Sequence, residues 1–169
     1  MYNKSFNGYI NRQRGANFEE LINSSCLYYK NNGIAHIEKT PEPMKIIRPF
    51  NPERSLFIAA FDKKAQADYK GIMASGQCVH FEAKSTISDR INQNVLSDKQ
   101  IDDLTTTNKF GGDCFILVSM NSYNQFFRVP WNVWNDMKTL FGHKYMSISE
   151  LAPYEIKIQL FGLDFLKTK

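Results

Sequence analysis

Asp68, Glu82 and Lys84 are the residues around which a chemistry can be written. They belong to the stretch Asp68-Tyr-Lys-Gly-Ile-Met-Ala-Ser-Gly-Gln-Cys-Val-His-Phe-Glu82-Ala83-Lys84. Two carboxylates beside an ammonium group form a site for a hard divalent cation with an activated water next to it. The stretch predicts a β-hairpin with one strand to about Met73, a turn over Ala74 to Gln77, and a second strand from Cys78 to Lys84. In that second strand Val79, Phe81 and Ala83 alternate with His80, Glu82 and Lys84. Period-2 geometry sends the apolar set into a core and places Glu82 and Lys84 on the opposite face. Asp68 comes across to that face if the hairpin is twisted or bulged near Tyr69. Glu-x-Lys on a strand also reads as a plain solvated face. The context favours a site: a hairpin, an apolar opposite face, a Glu on an upstream helix, and basic residues elsewhere.

The elements that must hold these residues follow from local signals. Asn17 can cap a helix, and Glu20, three residues on, completes a capping box. That helix is expected to run to about Asn31, where Asn31-Asn32-Gly33 stops it. Successive 100° steps place Phe18, Leu21, Ile22, Ser25 and Tyr29 on one stripe, with Glu19 at its edge beside Cys26 and Glu20 pointing away. Glu19 is therefore the carboxylate aimed at the interior margin. Ile34 to Lys39 reads as a strand. The segment after it holds Pro41, Pro43, Pro49 and Pro52, which rule out a helix and disfavour a central strand. Basic Lys39, Lys45, Arg48, Arg54, Lys63 and Lys64 are interleaved there with Met44, Ile46, Phe50, Phe57 and Phe61. It is too apolar for disorder, and we expect a protruding element with its own small packed spine, meeting nucleic acid or another subunit.

Beyond the hairpin, Ser85 to Asn94 is polar and reads as a loop. Ser97-Asp-Lys-Gln100 is a second capping box, opening a helix through Asn108 with Ile101 and Leu104 inward. Gln100 has a structural role of its own there, reaching back to the N–H of Ser97. Asp113 to Met120 reads as a strand whose Cys114 to Val118 run is apolar on both faces and so central. Asn121 to Asn124 makes a turn into a strand at Gln125 to Val129. Pro130 is expected to start a helix carrying Trp131, Trp134 and Leu140, and Glu155 to Phe161 to form a last strand.

Bulk properties narrow the classes. At 169 residues the chain is most simply one domain, 1–169, able to bury a core without staples. The net charge of +4 permits a polyanionic partner without demanding one. Residues 1 to 18 carry Lys4, Arg12 and Arg14 with no acid before Glu19, so 1–16 forms a basic N-terminal arm suited to phosphates or a solvated terminus. Cys26, Cys78 and Cys114 are far apart with no Cys-x-x-Cys pair, which speaks against zinc and for free thiols in a reducing compartment. The apolar run Leu56 to Phe61 is too short to span a bilayer and no signal-peptide core is present, so the expected location is cytoplasmic.

At this point the chain resembles a family, the RecU Holliday junction resolvases of Gram-positive bacteria and their phages, within the PD-(D/E)xK nuclease superfamily. Four segments carry the match: Asn11-Arg12-Gln-Arg14-Gly15-Ala-Asn-Phe18-Glu19; Lys39-x-Pro41-x-Pro43; Asp68-Tyr69-x-Gly71-Ile72 with Phe81-Glu82-Ala83-Lys84; and Gln100 in the following helix. The resemblance implies an α/β fold, a restriction-endonuclease-like core with a central mixed β-sheet flanked by helices and a protruding stalk, here about 40–65. It implies a homodimer that binds branched DNA and makes paired nicks in four-way junctions with Mg²⁺, Mn²⁺ substituting, with no membrane partner and no small-molecule cofactor. Carried over by position, Asp68 and Glu82 are metal ligands with the backbone carbonyl of Ala83 helping. Lys84 orients the attacking water or stabilises transition-state charge, Glu19 supports the metal through a bound water, and Gln100 helps hold the site. Arg12 and Arg14 grip phosphates, and Lys39, Lys45, Arg48 and Arg54 are the further DNA-binding candidates. Two features depart from the family. Ala67 stands where a Thr usually precedes the Asp, and His80, on the site face, matches no fixed His and is given no catalytic role. The Ala67 departure and the looser match after Asn121 point toward a phage member, acting in the host cytoplasm. Two other functions stay open on these residues: a non-catalytic junction- or DNA-binding protein on the same fold, and a restriction-type endonuclease acting on duplex DNA.

Overall fold

The structure is a computed structural model that describes residues 3–61 and 66–166, with side chains from Asn17 to Ala60 and from Gln66 to Leu166. In chain order it places helix α1 at Asn3–Asn31, strands β1 at Ala35–Lys39, β2 at Met44–Asn51, β3 at Leu56–Phe61, β4 at Tyr69–Met73, β5 at Cys78–Thr86 and β6 at Arg90–Asn92, and helix α2 at Asp98–Lys109. The second half holds β7 at Asp113–Met120, β8 at Gln125–Pro130, α3 at Trp131–Asn135, α4 at Met137–Phe141 and β9 at Tyr145–Ser147. It closes with α5 at Ile148–Leu151 and the short strands β10 at Glu155–Ile156, β11 at Ile158–Gln159 and β12 at Gly162–Leu163.

One sheet organises the chain, in the order β1-β4-β5-β7-β8-β10. Its pairs are antiparallel except β5 with β7, which is parallel. The sheet is therefore mixed, and its one parallel pair is bridged by the connection that contains α2. Helix α1 covers one face, where Phe18, Ile22, Tyr29, Tyr69, Phe81, Phe115 and Phe165 are buried together. The other face is covered by α2 and α3, with Leu104, Cys114, Ile116, Val118, Trp131 and Trp134 between them and the sheet. β7 is buried from Cys114 to Met120, as a strand covered on both sides must be.

The active hairpin is pinned from the α1 side. Tyr69, Phe81 and Phe115 sit at matched register positions on β4, β5 and β7. Their rings stack at 4.8 Å between centroids in each step, with planes tilted by only 6° and 12°. Aromatic cross-strand contacts of this kind fix register, because a slip by one residue would turn every side chain to the other face. Gly71 faces Ile37 of β1, and a Cβ there would lie 2.2 Å from the His36 carbonyl oxygen. The glycine is what lets β1 close against β4.

Several local expectations change in the folded chain. α1 is already helical at Asn3, so Asn17 is an interior residue and caps nothing. Its apolar stripe is as expected, with Phe18, Ile22, Ser25 and Tyr29 buried and Glu20 exposed. The polar segment after Lys84 is not a plain loop, because β5 continues to Thr86 and β6 pairs with β9. Pro130 ends β8, and the helix after it breaks at Asp136 into α3 and α4, leaving Leu140 exposed. The expected strand at 155–161 is divided among two partners: β10 joins the main sheet and β11 pairs with β12.

The proline-containing segment forms a separate two-stranded hairpin of β2 and β3, inserted between sheet neighbours β1 and β4. Register shifts interrupt it between Ile46 and Arg48 and between Pro49 and Asn51, and Pro49, the one proline within β2, has no N–H to give the ladder at the second of these. No packed spine forms within it: Met44, Ile46, Ile47, Phe50, Leu56 and Phe57 are all exposed, since two strands have no second layer to bury them. Lys63 and Lys64 lie outside the described residues.

Replacing Gly71 by Ala is expected to destabilise the fold by at least about 2 kcal/mol, because the new methyl meets backbone that cannot yield. Urea denaturation of the variant tests this, and a midpoint equal to that of the parent protein would remove the close-approach argument.

Candidate active site

The site lies on the α2 side of the sheet, where β4 begins beside β5. Alternation along β5 puts Phe81 under α1 and turns His80, Glu82 and Lys84 the other way. No bulge is needed to bring Asp68 over. β4 and β5 pair without interruption from Tyr69–Phe81 to Ile72–Cys78, and Asp68 opposite Glu82 is the next step of that register. Directly opposed residues of an antiparallel pair face the same side, so the twist anticipated near Tyr69 is replaced by simple continuation.

The contacts are close. The Asp68 N–H donates to Glu82 Oε1 at 3.1 Å, and the Ala83 N–H donates to Asp68 Oδ2 at 3.0 Å. Lys84 Nζ lies 2.8 Å from Glu82 Oε2 and 3.8 Å from Asp68 Oδ2. The three side chains picked out by spacing are thus gathered within ion-pair distance of one another. Glu82 is fully buried, whereas the Asp68 side chain is 34% exposed and forms the solvent-facing half of the pair.

Gln100 completes the ring around Glu82. Its Nε2 donates to Glu82 Oε2 at 2.6 Å, while its Oε1 accepts from the Ser97 N–H at 3.0 Å and the Ser97 hydroxyl at 3.1 Å. The helix cap and the site contact are therefore the two ends of one amide, which ties the start of α2 to Glu82. Glu19 stands apart, paired with Lys39 at 2.6 Å on the exposed edge of α1. On the same side of the sheet, under α1, the Tyr69 hydroxyl donates to Asn23 Oδ1 at 3.0 Å. Burial, reinforced by the charges of Glu19, Cys26 and Asp68, pushes the Tyr69 phenol up.

Burial also pushes the Glu82 carboxyl up to about 8, with the Asp68 charge adding to the rise and Lys84 opposing it. Two acids and one ammonium leave the pocket short of positive charge. Among the described residues no three His, Cys, Asp or Glu side chains converge as a cation cage. The oxygen donors nevertheless fit Mg²⁺, which keeps several waters and takes only one or two carboxylates alongside substrate phosphate. For Ala83 the engaged group is its N–H, on Asp68.

The remaining candidates are dispersed. Lys45, Arg48 and Arg54 are exposed on the β2–β3 hairpin, and Lys39 is exposed at the end of β1. Arg12 and Arg14 lie outside the residues whose side chains are described. Sequence reasoning gave His80 no task, yet it is engaged: Nδ1 lies 3.0 Å from the Thr107 hydroxyl and 3.6 Å from Asp103 Oδ2. Burial, with help from Lys70, holds its pKa below the ordinary histidine value. Alternation placed His80 on the site face, but nothing in the local sequence named its α2 partners.

The fold and this site define the class as a restriction-endonuclease-like nuclease core. Consistent with this, the chain superposes on the Holliday junction resolvase Hjc of Archaeoglobus fulgidus with a TM-score of 0.50 over 82% of this chain and 93% of that one, at 10% identity. The family model "Recombination protein U" (RecU) matches residues 13–168, and the chain belongs to that family. Proteins named Holliday junction resolvase RecU are similar along most of the chain. The one from Pediococcus pentosaceus is 30% identical over 158 residues, covering 88% of this chain and 78% of its own length. The one from Ligilactobacillus salivarius is 35% identical over 134 residues, covering 76% of this chain and 61% of its own.

The Glu82 shift carries a stability consequence in the metal-free protein. Its folded pKa of about 8 exceeds the ordinary carboxylate value of 4.5, so the folded state binds this proton more tightly than the unfolded chain. The stabilising contribution is complete below pH 4.5 and is lost as pH rises through about 8. The wild-type protein is expected to lose stability relative to Glu82→Gln across that window, measured by urea denaturation in chelator. A difference that stays flat with pH would contradict the shift.

Proposed function

We propose that this chain is a structure-specific DNA endonuclease that resolves four-way junctions by paired nicks during recombination, with Asp68, Glu82 and Lys84 as its reaction centre. The observation that carries the reading is the convergence of those three side chains, in a member of a family whose relatives are named junction resolvases. Asp68 and Glu82 would hold Mg²⁺, with the Ala83 carbonyl helping, and Mn²⁺ would substitute. When bound, the metal neutralises the scissile phosphate and lowers the pKa of the attacking water.

The chain's own residues do the rest. Lys84, held at the mouth of the pair, supplies positive charge to the phosphate oxygens as charge builds in the transition state. Gln100 keeps the Glu82 carboxylate turned toward Asp68. Glu19 supports the metal through a water, and the Lys39 ion pair holds it at the margin. Arg12, Arg14, Lys39, Lys45, Arg48 and Arg54 contact backbone phosphates, which position the substrate without reading its sequence.

The chain acts as a single nuclease domain over 1–169, in a homodimer in the cytoplasm. The β2–β3 hairpin is its stalk, where exposed apolar side chains and basic residues meet the junction by shape. Among the described residues no helix is long and apolar enough to cross a membrane.

A labelled four-way junction incubated with and without Mg²⁺ tests the reading in one gel. Symmetric nicks that require the metal are expected, and binding without any cleavage would assign the chain to a non-catalytic DNA-binding role. Lys84→Ala is expected to bind junctions almost normally and to nick them at least about 100-fold more slowly. Equal losses in binding and cleavage would make Lys84 structural. Replacing 44–61 by a short turn is expected to weaken junction binding selectively. If cleavage of linear duplex fell as far, the hairpin would not be the junction-reading element.

A further inference from the structure

The peptide that delivers Asp68 is held from behind by a second polar cluster. Ala67 is fully buried, and its N–H donates to Asp103 Oδ2 at 3.0 Å. Asp103 lies on α2 one turn beyond Gln100, on the same side of the helix. Lys70 Nζ reaches the Asp103 carboxylate at 3.3 Å to Oδ1 and 3.1 Å to Oδ2. His80, the cross-strand partner of Lys70, lies 3.6 Å from the same carboxylate and 3.0 Å from the Thr107 hydroxyl. Among the polar contacts that helix α2 makes with the hairpin are Gln100 on Glu82 and Asp103 on the Ala67 N–H just before Asp68.

The rest of the Asp68 environment shows why that N–H matters. The Thr40 N–H donates to the Asp68 carbonyl at 2.8 Å from the β1 side, and the Ala83 N–H holds its carboxylate at 3.0 Å. The Asp68 N–H is held by Glu82 Oε1 at 3.1 Å, and Asp103 adds a tether one residue upstream. Ala67 has no side-chain hydroxyl to share this task, so its backbone N–H is the donor that Asp103 takes. Left without Asp103, a buried N–H must find another acceptor, and the chain leading into Asp68 must shift to do so.

We propose that Asp103, clamped by Lys70 and His80, is a positioning residue that locks the Gln66–Ala67 peptide leading into Asp68, so that Asp68 meets Glu82 at the separation a shared cation requires. This rests on the nuclease reading above. It extends the site to residues that touch neither metal nor phosphate, and it gives His80 a supporting place in the clamp. A displacement of about 1 Å at a reacting centre is enough to cost about 100-fold in rate.

The test compares Asp103→Ala, Asp103→Asn and Lys70→Met by two readouts, calorimetric titration with Mn²⁺ in the absence of DNA and single-turnover junction nicking. Asp103→Ala is expected to weaken Mn²⁺ binding about tenfold and slow nicking about 30-fold or more, with junction affinity within about twofold of wild type. Asp103→Asn retains an oxygen that accepts the Ala67 N–H and is expected to recover most of both. Lys70→Met keeps that hydrogen bond but loosens the clamp, so an intermediate loss is expected, and it decides the matter if Asp103→Ala does not fold. Wild-type Mn²⁺ affinity and nicking rate in the folded variants would overturn the proposal, as would losses that merely track a lowered melting temperature. If the wild-type protein takes up Mn²⁺ but does not nick junctions, the substrate reading fails while the Mn²⁺ titrations still decide the clamp. If it takes up no Mn²⁺, both fail.

Discussion

A carboxylate with no solvent contact, set in the middle of a sheet, governs much of this structure. Taking Glu82 out of water is costly unless its oxygens are met by donors. The three donors that meet it come from three different places: the Asp68 N–H on the adjoining chain, Gln100 at the start of α2, and Lys84 two residues along its own strand. The hairpin register, the seating of α2 and the alternation of β5 must therefore agree with one another. The solution is incomplete by design of the charges, since Asp68 raises the cost of ionising Glu82 and Lys84 only partly offsets it.

The apolar side of the same hairpin supplies the rigidity. The Tyr69–Phe81–Phe115 stack lies directly behind the polar face and crosses three strands. It fixes how far β4 slides along β5, and hence where Asp68 stands. Because β5 and β7 run parallel, the chain must cross over between them, and the crossover carries α2 back over the site. The topology that makes the sheet mixed is thus also what brings Gln100 and Asp103 to the hairpin.

The β2–β3 hairpin obeys different physics. Two register shifts interrupt its ladder, it shares no sheet with the body, and its apolar side chains are open to solvent. Exposed apolar surface of this kind on an appendage marks a contact region. The hairpin is inserted between β1 and β4, which are neighbours in the main sheet.

Much of the core was legible from local pattern. The alternation in β5 determined which face Glu82 and Lys84 would take, the Ser97–Gln100 box announced α2, and the run Asp113 to Met120 marked a central strand, because each signal spans only a few residues. The cap at Asn17 misled because a capping signal competes with the option of simply continuing the helix upstream. Pro130 does stand at the start of a helix, as its N-cap residue, but that helix breaks at Asp136, which no local signal marked. The division of the C-terminal segment depended on partners far away, β8 for one piece and β12 for the next. What the sequence alone determined was the shared face of Glu82 and Lys84 on β5, whereas the place of Asp68 opposite Glu82 came from the strand register. Only the tertiary structure decided that Glu82 would be buried rather than solvated, that one Gln100 amide would serve both helix and site, and that Asp103, Lys70 and His80 would close around Ala67. Those contacts join residues 67 to 107 across a strand pair and a crossover helix, and no short-range periodicity encodes a meeting made by packing.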